Sequence, residues 1–126
     1  MSNLDDVRRI ASRLPGAIVE PDGLAVSVPN KGKAKGFVWA WAERVHPKKA
    51  RVRNPNVLAV AVASLSAKEI LLGSDAQKFF TEPHYNGYPA ILVRLEAVAA
   101  EELEDLIVEA WRTKAPADVV RQFDEA

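Results

Sequence analysis

Apolar residues recur at helical spacing from the start of the chain, where Leu4, Val7, Ile10, Ala11 and Leu14 fall on one face. Ser2 and Asp5 precede that run with the spacing of a capping box, and Leu14-Pro15-Gly16 stops the helix. The pattern then shortens. Ala17–Glu20 and Leu24–Val28 read as two strands joined at Pro21-Asp22-Gly23, a hairpin signal. Lys31–Gly36 reads as a flexible basic loop, and Phe37–Ala42 as a strand that sets Phe37, Trp39 and Trp41 on one face. The polar stretch Glu43–Asn56 contains Pro47 and Pro55, which suit a loop or an edge.

Val57–Ala63 has the continuous apolar character of a buried strand. A second capping box at Ser66–Glu69 opens a helix ending at Gly73, and Asp75 caps a further turn through Phe80. Ala90–Leu95 is the last strand. Leu103, Leu106, Ile107, Ala110, Trp111 and Lys114 then trace one stripe of a closing amphipathic helix, with acids early and Arg112 and Lys114 late. Pro116 breaks it, and Ala117–Phe123 adds a short tail helix. The order α-β-β-β-β-α-β-α predicts an α+β fold: a two-layer sandwich with an antiparallel sheet of about five strands and helices packed on one face.

Composition narrows the class. The chain has 126 residues, 48% hydrophobic and 27% charged, which fits one globular domain over residues 1–126. With no cysteine, disulfides, thiolate catalysis and Cys-ligated metal centres are excluded. The acidic start lacks an apolar leader, and the longest apolar run is far short of the roughly 20 residues that span a bilayer. The expectation is a cytoplasmic protein without membrane attachment. Net charge is zero but unevenly spread: residues 1–53 hold 11 Lys/Arg and 5 Asp/Glu, residues 54–126 hold 6 and 12.

Phe79–Pro89 crowds aromatic rings, two prolines, an Asn-Gly step and His84 into eleven positions ahead of the last strand. Its Thr81-x-Pro83-His84-Tyr85-x-Gly87-Tyr88-Pro89 loop resembles the signature of the YjbR/MmcQ family of small bacterial proteins. Leu14-Pro15-Gly16, Val93-Arg94-Leu95 and Ala110-Trp111-Arg112 match further parts of that family's pattern. The middle departs from it, because many relatives have a short glycine turn and acids where this chain carries basic Lys31–Lys35 and His46–Arg53. The resemblance implies a compact α+β fold and a DNA-binding role through a paired-wing arrangement.

The residues themselves offer two function classes. Lys31, Lys33, Lys35, Arg44, Lys48, Lys49, Arg51 and Arg53 face the single acid Glu43 over 23 residues. As one exposed ridge, with His46 beside it, they would contact phosphates without reading sequence, with DNA the favoured partner over RNA. The competing account is solvated loops, or pairing with the acids of the closing helix within the molecule or in a homodimer. The second class is a protein-interaction or small-ligand module around His84, Tyr85, Asn86 and Tyr88. Phe37, Trp39 and Trp41 suggest a stacking platform, although core packing accounts for large rings more simply.

No catalytic constellation accompanies His84, so loop anchoring through His84 and the tyrosine hydroxyls is the expected role. The acids of Glu101–Glu109 read as a solvated helix face, and Gly32–Gly36 lacks the spacing of a phosphate loop. No enzyme activity, cofactor or metal is expected.

Overall fold

The computed structural model describes residues 2–43 and 48–125. Arg44 and His46, both named above, lie outside the described residues. Helix α1 (Leu4–Ala11) leads into strands β1 (Ile18–Val19), β2 (Ala25–Asn30), β3 (Lys33–Glu43) and β4 (Val52–Ala61). Helix α2 (Leu65–Ser74), strand β5 (Phe79–Phe80), a short 3-10 turn at Pro83–Tyr85 and strand β6 (Ala90–Arg94) follow. Helices α3 (Ala100–Lys114) and α4 (Ala117–Glu125) close the chain.

The sheet runs β1-β2-β3-β4-β6-β5, antiparallel throughout. It has six strands rather than about five, because Phe79 and Phe80 pair with Val93 and Leu92 where only a turn is expected from the sequence. One face carries Val26, Val38, Leu58, Val60, Ile91 and Val93 against Val7, Ile10, Leu103, Ile107 and Trp111 of the helices. This layer is the main core and confirms the two-layer α+β architecture.

Five local expectations are corrected. The first cap is Asn3 with Asp6, not Ser2 with Asp5: Asp6 N donates to Asn3 Oδ1 (3.2 Å) and Asn3 N to Asp6 Oδ2 (3.0 Å). Ser2 is instead buried, its hydroxyl donating to the Val98 carbonyl at 2.8 Å. The second helix starts at Leu65, capped by Ser64 Oγ accepting from Ala67 N, so Ser66 lies inside it.

Lys31–Gly36 is not a loop. Asn30 pairs with Lys33, and Lys31 and Gly32 adopt φ of 54° and 80°. Two successive left-handed residues form the tight hairpin turn that matches the twist of flanking strands. In the same way, the polar stretch before Val57 becomes strand at Val52. Pro55 is accommodated because Trp41 pairs with Asn54 and Ala40 with Leu58, leaving Pro55 in a bulge where no ladder bond is required.

The last correction concerns the aromatic strand. Val38 pairs with Val26, but Gly36 pairs with Ser27, so Phe37 is an extra residue in β3. The bulge breaks strict alternation. Phe37 joins the helix-side core, fully buried, while Trp39 and Trp41 stand on the opposite face.

Two of the motifs quoted above meet in the helical layer. Trp111 Nε1 donates to the Pro15 carbonyl at 3.0 Å, and its ring packs edge-on against Phe123 of α4 at 4.9 Å. Trp111→Phe should lower the unfolding free energy by about 1–3 kcal/mol, through the lost bond and unfilled volume. Urea denaturation should show a lower midpoint at unchanged slope. A loss under about 0.5 kcal/mol would contradict this role for the indole.

Candidate nucleic-acid interface and the signature loop

The β2–β3 hairpin brings Lys31, Lys33 and Lys35 together. Lys35 lies opposite Val28 and Lys33 opposite Asn30, so both stand on the helix side of the sheet, beyond the end of the core. Asn30 Nδ2 donates to the Lys114 carbonyl at 2.9 Å, fixing the hairpin against the C-terminus of α3. With Asn30, the three lysines line a shallow concavity of about 470 Å³. All three are exposed, and none makes an ion pair among the described residues.

The remaining cations do not join them. Strand β3 separates Lys33 from Glu43 by ten steps, about 34 Å at the antiparallel rise. Lys48 and Lys49, exposed in the β3–β4 connection, therefore stand at the far end of the sheet. Arg51 and Arg53 are also at that end, and carboxylates hold them. Arg51 Nη1 donates to the Ala42 carbonyl at 2.8 Å and lies 3.8 Å from Glu82, while Arg53 sits 3.4 Å from Asp22 and 3.9 Å from Glu20. The described members of the set thus form two clusters, and the arginines carry much of their own neutralisation.

The signature loop closes the other face of the sheet. A cross-strand row of Trp39, Ala59, Leu92 and Phe80 lines that face, with Trp41 packed edge-on against Phe80 at 5.4 Å. Tyr85 lies over the row and its hydroxyl accepts from Trp39 Nε1 at 3.1 Å. Arg94 places its guanidinium 4.1 Å from the centre of the Phe80 ring and donates to the Ala76 carbonyl. Both tryptophans are half-buried by this packing, so they form a second, smaller core.

His84 does not anchor the loop. It is exposed, and its ring contact is an edge-on approach to Tyr85 at 5.9 Å. The anchoring group is Lys68 of α2, whose ammonium donates to the carbonyls of Tyr85 (2.5 Å) and Tyr88 (3.0 Å). Lys68 is only 3% exposed, and burial pushes its pKa below the ordinary lysine value, with Glu69 opposing the shift. Gly87 completes the turn at φ 76°. His84, Asn86 and Tyr88 are left exposed on a braced loop.

Trp41 Nε1, Thr81 Oγ1 and Glu82 Oε1 are buried without a hydrogen-bond partner among the described residues. Among those residues there is also no cluster of three potential metal ligands. Neither Lys68 nor Asn30 stood out in the sequence. No local signal in the sequence marks either residue.

No family model matches the chain. It is 32% identical over 131 residues to the uncharacterized proteins Rv2570 of Mycobacterium tuberculosis (strain ATCC 25618 / H37Rv) and Mb2600 of Mycobacterium bovis (strain ATCC BAA-935 / AF2122/97). The alignment covers 98% of this chain and 96% of each relative. The chain belongs to the family of these mycobacterial proteins. Its fold also resembles the crystal structure of Deinococcus radiodurans protein DR2400, described as a DUF419 domain. There the TM-score is 0.64 at 21% identity, over 88% of this chain and 77% of that one.

In this member of the family, the brace on the loop has a measurable consequence. Lys68→Met keeps the aliphatic stem but leaves two loop carbonyls without their charged donor. Stability should fall by about 1–3 kcal/mol. Amide exchange should accelerate across residues 84–88 more than in the helix-side core. Unchanged exchange in that loop would show that other contacts hold it.

Proposed function

We propose that this protein is a YjbR/MmcQ-type, non-catalytic DNA-binding protein that grips the phosphate backbone through the β2–β3 hairpin. The family reading is supported by the Thr81–Pro89 loop, the Leu-Pro-Gly and Ala-Trp-Arg motifs, and the fold shared with a DUF419 domain. The observation that carries the binding reading is the hairpin itself. Three exposed lysines without ion pairs among the described residues occupy one tight turn and one strand end, lining a common concavity. Such a turn acts as a basic wing laid along a groove edge. Lysine is a point charge there, suited to phosphate contacts that position without reading bases.

The contact set is smaller than the eight-residue ridge expected from sequence. Three neutralised phosphates give a log–log salt slope of about −2.7 on duplex DNA, hence weak binding that fades at moderate salt. Lys48 and Lys49 would reach only a distant segment of the same duplex. Arg51 and Arg53 contribute little because binding must first separate them from Glu82, Glu20 and Asp22.

The test is anisotropy of a labelled mixed-sequence duplex titrated at several salt concentrations. In the variant, Lys31→Asn respects the left-handed backbone at that position, and Lys33→Gln with Lys35→Gln removes the other two charges. The triple variant should bind about tenfold or more weakly at low salt, with a slope approaching zero. Arg51→Gln with Arg53→Gln should change the slope little. Equal affinity and slope for wild type and the triple variant would rule the hairpin out, as would absence of wild-type binding at low salt.

A second reading rests on the exposed Tyr88, which sits 48% exposed on a loop that Lys68 holds rigid. A preorganised tyrosine of this kind suits a protein contact. If DNA binding is absent, Tyr88 is the residue to pursue.

A further inference from the structure

Helix α2 leaves apolar side chains outside. Leu71 and Leu72 pack on the core, but the side chain it buries most fully is Lys68, while Ile70 is 72% exposed and Leu65 48% exposed. Beside it an open trough of about 340 Å³ runs between α2 and α3. Val62 and neighbouring residues at the end of β4 floor it, and Ala67, Ile70 and Leu71 of α2 face Leu106 of α3. The rim on the α3 side is acidic. Asp105 and Glu109 line the trough, and Glu101 continues the same row one turn earlier. Asp105 and Glu101 make no ion pair among the described residues, whereas Glu109 meets Arg112 at 3.3 Å. Among the described residues, no cation lines the trough.

We propose that this trough docks an amphipathic helix of a partner protein. The partner presents large aliphatic side chains at i, i+3 or i+4, and i+7, flanked by Lys or Arg that meet Asp105 and Glu101. Helix-in-groove recognition uses such a row of apolar contacts, and like charges on the partner would be rejected by the acidic rim. A second copy of this chain fits poorly. The apolar faces of α1 and α3 are already committed to the core, and Val119, Val120 and Phe123 of α4 pack on it. Facing two troughs together would bring Asp105 and Glu109 against their own copies.

The site is separate from the basic hairpin, so its test is independent of the function proposed above. The probe is a synthetic helical peptide with Leu at i, i+3, i+4 and i+7 and Lys on the flanks, titrated into protein with labelled methyl groups. Saturable shifts should be confined to Val62, Ile70, Leu71 and Leu106. A matched peptide with Glu for Lys should bind at least about tenfold more weakly. Ile70→Lys, at an exposed position, should abolish binding without lowering the unfolding temperature, and Asp105→Lys should reverse the preference between peptides.

Lys31→Asn with Lys33→Gln and Lys35→Gln should leave peptide binding intact. Equal binding of both peptides, absence of binding, or shifts centred elsewhere would overturn the proposal. So would a homodimer that Ile70→Lys dissolves in sedimentation equilibrium, because it would assign the trough to a second copy.

Discussion

One extra residue in β3 determines how both faces of the sheet are furnished. Without the bulge at Phe37, alternation would carry Phe37, Trp39 and Trp41 to a single side. With it, Phe37 and Val38 both enter the helix-side core, and the two tryptophans are delivered to the opposite face. That face then holds Ala59 and Leu92, fully buried beneath large rings, and cannot be left to water. The signature loop supplies the cover through Tyr85. The loop in turn needs partners for its inward carbonyls, which Lys68 provides from α2. A chain of requirements therefore runs from a backbone irregularity to a buried ammonium.

Seen this way, the motif residues are mostly clasps. Tyr85 joins the loop to β3 through Trp39, Arg94 ties β6 to the turn before β5, and Trp111 ties α3 to the turn after α1. Arg112 holds α4 by an ion pair of 2.6 Å with Asp124. The clasps made by Tyr85 and Trp111 join segments far apart in sequence, so they are specific to this topology. That is why the motifs identify a fold more readily than a chemistry.

The helical periods of α1 and α3 were legible, and so was the buried character of Val57–Ala61, because each follows from a side-chain repeat that burial enforces. What escaped was irregular. A bulge has no period of its own, so the side taken by Phe37 could not be read from alternation. The two-residue strand Phe79–Phe80 exists only because β6 offers a free edge. Cap positions slipped because several polar residues near each helix start compete for the same backbone donors, and tertiary contacts decide among them. Ser2 was withdrawn by Val98, which left Asn3 to cap. At the candidate interface, residue types were legible but their convergence was not, since clustering in sequence does not mean clustering in space across an eleven-residue strand.

The charge asymmetry between the chain halves also changes meaning in three dimensions. Arg8 and Arg9 pair with Asp5 and Asp6 on the same helix, and Arg53 draws on Glu20 and Asp22 across the sheet. These pairs use four of the five acids of residues 1–53, so the excess positive charge of that half rests on its other cations, the hairpin lysines among them. The uncompensated part at the hairpin is concentrated at one end of the sheet, beside the C-terminus of α3. The partial negative charge of that helix end offers those lysines some compensation, but it falls off within a turn and is already engaged by Asn30. Of the rim acids on α3, Glu109 is engaged by Arg112, and Asp105 and Glu101 sit about 2.5 and 3.6 turns away from that helix end. At physiological salt that separation exceeds the screening length of about 8 Å. Hairpin and acidic rim thus act as independent surfaces of opposite sign on a molecule of zero net charge.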